Sequence, residues 1–426
     1  MRTALALVVV LTSLSVPASA SAEYAPLDQP GPALTVPQAQ LAASLVCTPN
    51  VQNATKEPVL LLPATGVNSQ DNFAWNYEKA LAMQNIPYCT SDQQGDANSN
   101  LGDIQVRGDY VTYAIRRVAA MAGRPIAVAG HSQGGMVMRW SLRFWPDTRS
   151  LVADVIGFAG SNHGTTTAAG GCAGGCAPAN WQQGADANFI KALNSRQETF
   201  AGISYTEVYT HNDEVVTPNM DSNGSSSVHG PGQIANVAVQ DVCPADSSEH
   251  LQVGTVDPVA WALFLDAITH DGPANPARID PSVCAQVLMP GVEPFNYLAD
   301  AGKAAADLAL NEQSYPKVSA EPPLLCYVTA TCASAPSAAA ARLKVSVTPR
   351  RVAAGRPVTL RVRVRARLGG RMRPVSGVTV RLAGKRRHTS SHGRARLKIT
   401  LRPGVHVLRV SRNGFRPGRA RVRAHR

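Results

Sequence analysis

Five residues, Gly130-His131-Ser132-Gln133-Gly134, constrain this chain more than any other stretch. An apolar run at 125–129 precedes them, and a helical-looking segment at 135–140 follows. Strand, tight turn and helix is the setting in which a G-x-S-x-G serine sits on a strained turn as a nucleophile. Gly130 and Gly134 lack a Cβ, so strand and helix can approach each other around the serine. The same five residues also suit an ordinary turn. What separates the two readings is whether an acid and a histidine follow in the right order.

Composition divides the chain before any fold is considered. The net charge is +12, yet residues 341–426 hold 26 Lys and Arg and no Asp or Glu. That leaves 15 basic against 29 acidic residues in 1–340. Such an asymmetry marks two differently built units. The first residues read as a secretory signal: Arg2, a short apolar run at 4–14, and small-residue cleavage sites at Ala18-Ser19-Ala20 and Ala20-Ser21-Ala22. That run is short for a membrane span. No later stretch of twenty apolar residues stands out, so a soluble, secreted, extracellular protein without a transmembrane segment is expected after removal of 1–22.

Export fits the eight cysteines, Cys47, Cys89, Cys172, Cys176, Cys243, Cys284, Cys326 and Cys332. An even count in an oxidising compartment suggests four disulfides. Chain order favours neighbours pairing, Cys172 with Cys176 among them, although eight cysteines allow 105 connectivities. The Cys172–Cys176 spacing has no histidine partner beside it, and structural zinc wants four ligands. No metal and no organic cofactor is expected.

From 23 to 317 strand-like and helix-like patterns alternate. Strands are expected near 58–62, 125–129, 152–158 and 205–210, and helices near 72–84, 105–121 and 256–269. Alternation of this kind argues for an α/β fold, with a mainly parallel sheet covered on both faces. A Gly/Ala/Thr-rich loop at 163–179 carries Cys172 and Cys176, and it is expected to cover part of a site. Residues 318–340 read as a Pro/Ala/Ser-rich linker holding Cys326 and Cys332. Beyond Ala341 the period changes to two. Leu360-Arg361-Val362-Arg363-Val364-Arg365-Ala366-Arg367 places arginine along one strand face. Similar runs at 342–348, 378–382, 395–401, 405–410 and 419–424 make six short strands, a small C-terminal all-β sandwich at 341–426. Its turns, at Thr389-Ser390-Ser391-His392-Gly393, Gly404 and Gly414, resemble those of the Ig-like and carboxypeptidase-regulatory-like sandwiches appended to secreted enzymes.

A serine hydroxyl is a poor nucleophile at neutral pH. It needs a histidine to take its proton, and the histidine needs an acid to hold its tautomer. Downstream of Ser132, Asp213 is the best acid, just past the strand-like Glu207-Val208-Tyr209-Thr210. A carboxylate there lies at a strand's carboxyl end, where open α/β sheets form their sites. Glu214 competes directly; Asp221, Asp241 and Asp246 are weaker. His250 is the best base and His270 the second. His211 and His229 come earlier, and His131 and His163 precede the acid and break the order Ser, acid, His. An oxyanion needs fixed N–H donors. Gln133, after the nucleophile, supplies one; Thr65, in the turn that ends the 58–62 strand, offers an N–H and a hydroxyl.

Several stretches occur in the order of one known family: Pro58-Val59-Leu60-Leu61-Leu62-Pro63-Ala64-Thr65-Gly66, Ser132-Gln133-Gly134-Gly135, Asn180-Trp181-Gln182-Gln183, Asn212-Asp213-Glu214-Val215-Val216, and Val242-Cys243 leading to His250. The chain resembles the Candida antarctica lipase B family of secreted α/β-hydrolases across most of 40–330. The resemblance implies the α/β-hydrolase fold and Ser132, Asp213 and His250 as a catalytic triad. It also implies Thr65 and Gln133 as oxyanion donors, and bridges Cys47–Cys89, Cys243–Cys284 and Cys326–Cys332. Two departures stand out. The family member compared has Trp before the nucleophile, where His131 stands here, on the alcohol side of the pocket. The Cys172–Cys176 loop and the basic C-terminal unit have no counterpart.

Ester or lipid hydrolysis through an acyl-enzyme is therefore the expected activity. An acyltransferase, an amidase or a polyester depolymerase would use the same triad, and an inactive envelope-binding protein on this scaffold is the non-enzymatic rival. A monomer is expected. For 341–426 an anionic partner is expected, an envelope polymer or a lipid surface rather than a dedicated nucleic acid; a solvated arginine face that keeps sheet edges unpaired is the plain alternative.

Overall fold

The computed structural model describes residues 23–94, 99–168, 172–330, 342–368, 371–412, 415 and 417–425. The expected secretory leader, 1–22, lies outside them. The chain divides into two compact units. One holds Val36–Cys332 and the stretch up to Gly31; the other holds Ala333–Arg426 and the short stretch Pro32–Thr35.

The first unit is built on a seven-stranded sheet. Its strands are β1 (Leu45–Cys47), β2 (Val59–Leu62), β3 (Tyr88–Ser91), β4 (Ile126–His131), β5 (Val152–Phe158), β6 (Ser204–Tyr209) and β7 (Gln233–Ala238). They lie in the order β1-β3-β2-β4-β5-β6-β7. Only the β1–β3 pair is antiparallel; the others run parallel. Every residue of β2, β4 and β6 is buried. Parallel strands covered on both faces must read as continuous apolar runs, and β2 does. Its alternate residues serve two layers. Val59 and Leu61 join Ala127, Ala129, Ile156 and Phe158 in one core, under helices Tyr77–Met83 and Pro258–Thr269. Leu60 and Leu62 face the other way, the side of the paired helices Ile104–Ala122 and Gln133–Phe144.

Disulfides join Cys47 to Cys89, Cys172 to Cys176 and Cys243 to Cys284. The first ties β1 to β3 at a directly facing pair. Cys326 is disulfide-bonded as well; Cys332 lies outside the described residues. Residues 250–269 are apolar enough by composition to cross a bilayer. They break instead into His250–Val253 and Pro258–Thr269, and most of the stretch is buried.

The stretch read as a linker from residue 318 differs from that reading up to Thr329. The Tyr327 hydroxyl accepts a 2.9 Å hydrogen bond from the Trp140 indole, and the Tyr327 ring lies against Phe144 and Trp145. Val328 is fully buried, and its carbonyl accepts from the Ala25 N–H at 2.9 Å. A few anchoring side chains fix this segment inside the first unit, and its Pro/Ala/Ser composition conceals them. The expected helix at 72–84 is also interrupted: Ser69–Asn72 and Tyr77–Met83 flank a turn. Asn76 caps the second piece through its side chain, as a helix start prefers.

Among the described residues of the second unit, nine strands form two sheets. They are β8 (Lys344–Thr348), β9 (Arg351–Ala353), β10 (Pro357–Leu368), β11 (Arg371–Pro374), β12 (Thr379–Leu382), β13 (Lys385–His388), β14 (Arg394–Thr400), β15 (Gly404–Ser411) and β16 (Gly418–His425). β10 pairs with β8, β11 and β14; the other sheet has the order β13-β12-β15-β16-β9. Inward residues of both sheets, such as Val362, Val364 and Leu397 with Val380, Leu408 and Val422, form one apolar cluster. The arginines between them point outward and are exposed. Three short strands, β9, β11 and β13, were not read from the sequence. All four residues of β13 are exposed, so it carries no period-two signal.

Candidate active site

β4 ends at His131, and the helix Gln133–Phe144 starts one residue after Ser132. Ser132 makes that turn with φ of 54°, in the left-handed region a side chain rarely adopts. Both neighbouring glycines are required. A Cβ on Gly130 would stand 2.3 Å from the Gly134 carbonyl carbon, and one on Gly134 would stand 2.0 Å from the Leu62 oxygen. The Ser132 N–H donates to the Phe158 oxygen at 2.8 Å, pinning the turn to β5.

Asp213 lies four residues past the end of β6, and His250 opens the short helix after Ser248-Glu249. The two side chains meet: His250 Nδ1 is 3.0 Å from Asp213 Oδ1 and 3.1 Å from Oδ2. The carboxylate is held from behind. Oδ1 accepts from the Val215 and Val216 N–H groups at 3.0 and 2.7 Å, and Oδ2 from Asn219 Nδ2 at 3.2 Å. Asn219 is itself fixed by Ser226, donating to its Oγ and accepting from its N–H.

The rival acids and bases lie elsewhere. Glu214 accepts from the His250 backbone N–H at 3.3 Å and never meets the ring. Asp241 accepts the Ala238 N–H at a helix start, and Asp246 accepts the Ser248 N–H. Asp221 is exposed and accepts the Asn223 N–H. His270 sits beside Asp266 at 3.2 Å, at the far end of the core helix. His163 pairs with Glu198 at 3.1 Å. His211 is half-buried and His229 exposed.

Ser132, His250 and Thr65 line one cavity of about 340 Å³, with Thr165, Gln183, Val215, Val216 and Leu308 around it. The Cys172–Cys176 disulfide forms part of its wall; residues 169–171 of that loop lie outside the described residues. A smaller lobe of about 70 Å³ shares Ala64, Thr65, Leu251 and Leu308, and is walled by His131, Asn72 and Trp75. His131 is fully buried, and burial pushes its imidazole down to about 3, so it stands there neutral. Its Nε2 lies 3.2 Å from the His250 carbonyl oxygen and its Nδ1 3.3 Å from Asn72 Oδ1. A larger cavity, of about 730 Å³, lies elsewhere in this unit, among Glu57, Arg124, Asp154 and His270. Of the weighed candidates it holds His270, but not Ser132, Asp213, His250, Thr65 or Gln133.

Thr65 Oγ1 accepts two amide hydrogens, from Gln133 Nε2 at 3.0 Å and Gln183 Nε2 at 2.8 Å. With both lone pairs occupied, the hydroxyl hydrogen is left to donate elsewhere. Gln133 is fixed in turn. Its Oε1 accepts from the buried Arg107 guanidinium, which also donates to the Pro63 carbonyl at 2.6 Å. Burial pushes Arg107 down to about 9, against the pull of Asp92. Arg107, Asn219 and the role of Gln183 escaped the sequence reading. Gln183 belongs to the Asn180-Trp181-Gln182-Gln183 stretch, but nothing local in the sequence ties it to Thr65.

Among the described residues no group of three or more His, Cys, Asp and Glu is arranged to hold a metal.

Known proteins share sequence and fold with this chain. Residues 56–253 match the family described as lipase (class 2). Lipase B of Pseudozyma antarctica is 30% identical over 215 residues, 50% of this chain and 61% of that protein. The chain therefore spans less than two thirds of that relative. The crystal structure of Aspergillus fumigatus lipase B superposes with a TM-score of 0.63 at 28% identity, over 73% of this chain and 77% of that one. Through its first unit, the chain is similar in sequence and in fold to lipase B-type α/β-hydrolases.

Proposed function

We propose that this protein is a secreted carboxylic-ester hydrolase, a lipase or esterase, working through an acyl-enzyme on Ser132. Ser132 attacks the ester carbonyl, and His250 takes its proton through Nε2 while Nδ1 stays on Asp213. Charge gathers on the carbonyl oxygen. The Gln133 and Thr65 N–H groups and the Thr65 hydroxyl receive it. His250 then protonates the departing alcohol, and water repeats the sequence to free the acid. The single observation that carries the reading is the His250–Asp213 contact of 3.0 Å, beside a serine held on a strained turn in the same cavity.

Asp213→Asn leaves the ring in the wrong tautomer and is expected to lower kcat about 10⁴-fold. A loss of less than tenfold on a soluble ester would move the acid's role to another residue. A panel of esters from short and soluble to long and emulsified, run on wild type and Ser132→Ala, assigns the acyl length. Adding defined alcohols as acceptors separates hydrolysis from acyl transfer.

Secretion is supported by the disulfides, which persist in oxidising compartments. The second unit is read as an appendage that adsorbs to an anionic surface, an envelope polymer or a lipid, and so raises the enzyme's local concentration there.

A further inference from the structure

The residues proposed for catalysis all lie in the first unit, and the strand register of the second shows a built surface. On the sheet β13-β12-β15-β16-β9, Arg386 faces Arg381, Arg381 faces Arg409, and Arg409 faces Arg419. Four arginines on four adjacent strands thus share one cross-strand row. Strands lie about 4.8 Å apart, so the row runs roughly 14 Å. In the next rows Val407 faces Arg421, and Val405 faces Arg423, which pairs with Arg351 on the edge strand. All of these side chains are exposed. Residues 341–426 contain no acid to neutralise them. Like charges directly opposite each other across strands are destabilising, so a layer of anions relieves a strain the free face carries.

The aliphatic side chains identify the source of those anions. Val405 and Val407 are 53% and 40% exposed, and they are the exposed large hydrophobics of this unit among the described residues. They sit inside the cationic face. The outer face of the other sheet, with Arg361, Arg363, Arg394 and Arg396, is cationic without them. A dissolved polyanion would satisfy either face equally and has no use for valines. A bilayer offers phosphates to the guanidiniums and an apolar boundary to the valines.

We propose that the outer face of the β13-β12-β15-β16-β9 sheet docks on an anionic lipid bilayer, through the arginine row with Arg421 and Arg423, and with Val405 and Val407 at the headgroup boundary. This deepens the reading of the second unit as an adsorbing appendage and rests on it.

The test uses the full chain carrying Ser132→Ala, which spares the lipid. It is sedimented with phosphatidylglycerol–phosphatidylcholine vesicles, with pure phosphatidylcholine vesicles, and with immobilised polyphosphate, at low and high salt. Binding is expected on the anionic vesicles at low salt, with loss at high salt. Arg409→Gln with Arg421→Gln should weaken it by roughly 30-fold, from the usual contribution of two surface cations. Val405→Ser with Val407→Ser should weaken vesicle binding and leave polyphosphate binding unchanged. Arg361→Gln with Arg396→Gln, on the opposite sheet, should weaken vesicle binding much less than the Arg409 and Arg421 pair. Polyphosphate binding with no vesicle binding, or valine variants that bind vesicles like wild type, would overturn the lipid assignment and leave the adsorption reading standing. Binding to none of the three at low salt would remove both.

Discussion

Thr65 shows how one atom's function is set by what surrounds it. Its hydroxyl oxygen takes hydrogens from Gln133 and Gln183, so its own hydrogen is left to donate, as the proposed oxyanion role requires. Gln183→Leu removes one of the two anchors without removing a donor to substrate. The expected loss in kcat is about tenfold, smaller than the 10²–10³ for deleting an oxyanion donor outright, with KM nearly unchanged. Gln183→Glu should do worse than Gln183→Leu once its carboxyl ionises. A carboxylate accepts where the amide donated, and the Thr65 hydrogen would turn toward it. Rates on a soluble ester across acidic and neutral pH check both variants; equal rates for the two would refute this role. The proposed triad, Ser132, Asp213 and His250, could be picked out from the sequence because such chemistry would fix their order and their place beside strand ends. Arg107 and Gln183 were not, because they act through contacts spanning 26 and 118 positions, and no local spacing encodes these.

The elements that the sequence showed best are those whose burial is uniform or strictly alternating. β2 and β4 read as apolar runs because both faces are covered, and β10 and β14 because one face is. β7 is half-exposed for its first four residues and gave no such signal. The amino-terminal edge of the parallel sheet carries a different kind of information. Glu57, just before β2, and Asp154, on β5, meet there as a hydrogen-bonded carboxyl pair. Burial, the largest cause, pushes both well above the ordinary carboxylate range, and their mutual repulsion pushes Glu57 further. A raised folded value means the native state holds a proton that the unfolded chain releases near pH 4. The pair's contribution is therefore complete below that point and is lost as pH rises through the folded values. Glu57→Gln keeps the hydrogen bond and removes a charge. It should raise Tm at about pH 8 by a few degrees, and change it little at about pH 5. Thermal unfolding at the two pH values decides it, and an equal shift at both would show that the pair does not titrate in this window.

At the scale of the molecule, each unit has apolar core of its own, the first packed on the parallel sheet and the second between the two small sheets. The unit boundary was visible as a change of period and of charge sign, because an α/β core and a small β unit need different side-chain patterns. The placement of the last few residues before it was not visible, since single anchors such as Tyr327 leave no periodicity. Separate cores allow separate tests of function. Ending the chain after residue 340 removes 26 of the 41 basic residues and none of the acidic ones, so the remainder is acidic overall and is repelled by an anionic interface. Hydrolysis of a short soluble ester should stay within about twofold, because every residue of the proposed triad and oxyanion site lies before the cut. Hydrolysis of an emulsion carrying anionic lipid at low salt should fall by at least tenfold. Salt screens charges beyond about a Debye length, so raising ionic strength should slow the full chain on that emulsion and bring it toward the shortened one. If the shortened chain is equally active on both substrates at low salt, the arginine-bearing unit does nothing for access to the lipid, whatever it binds.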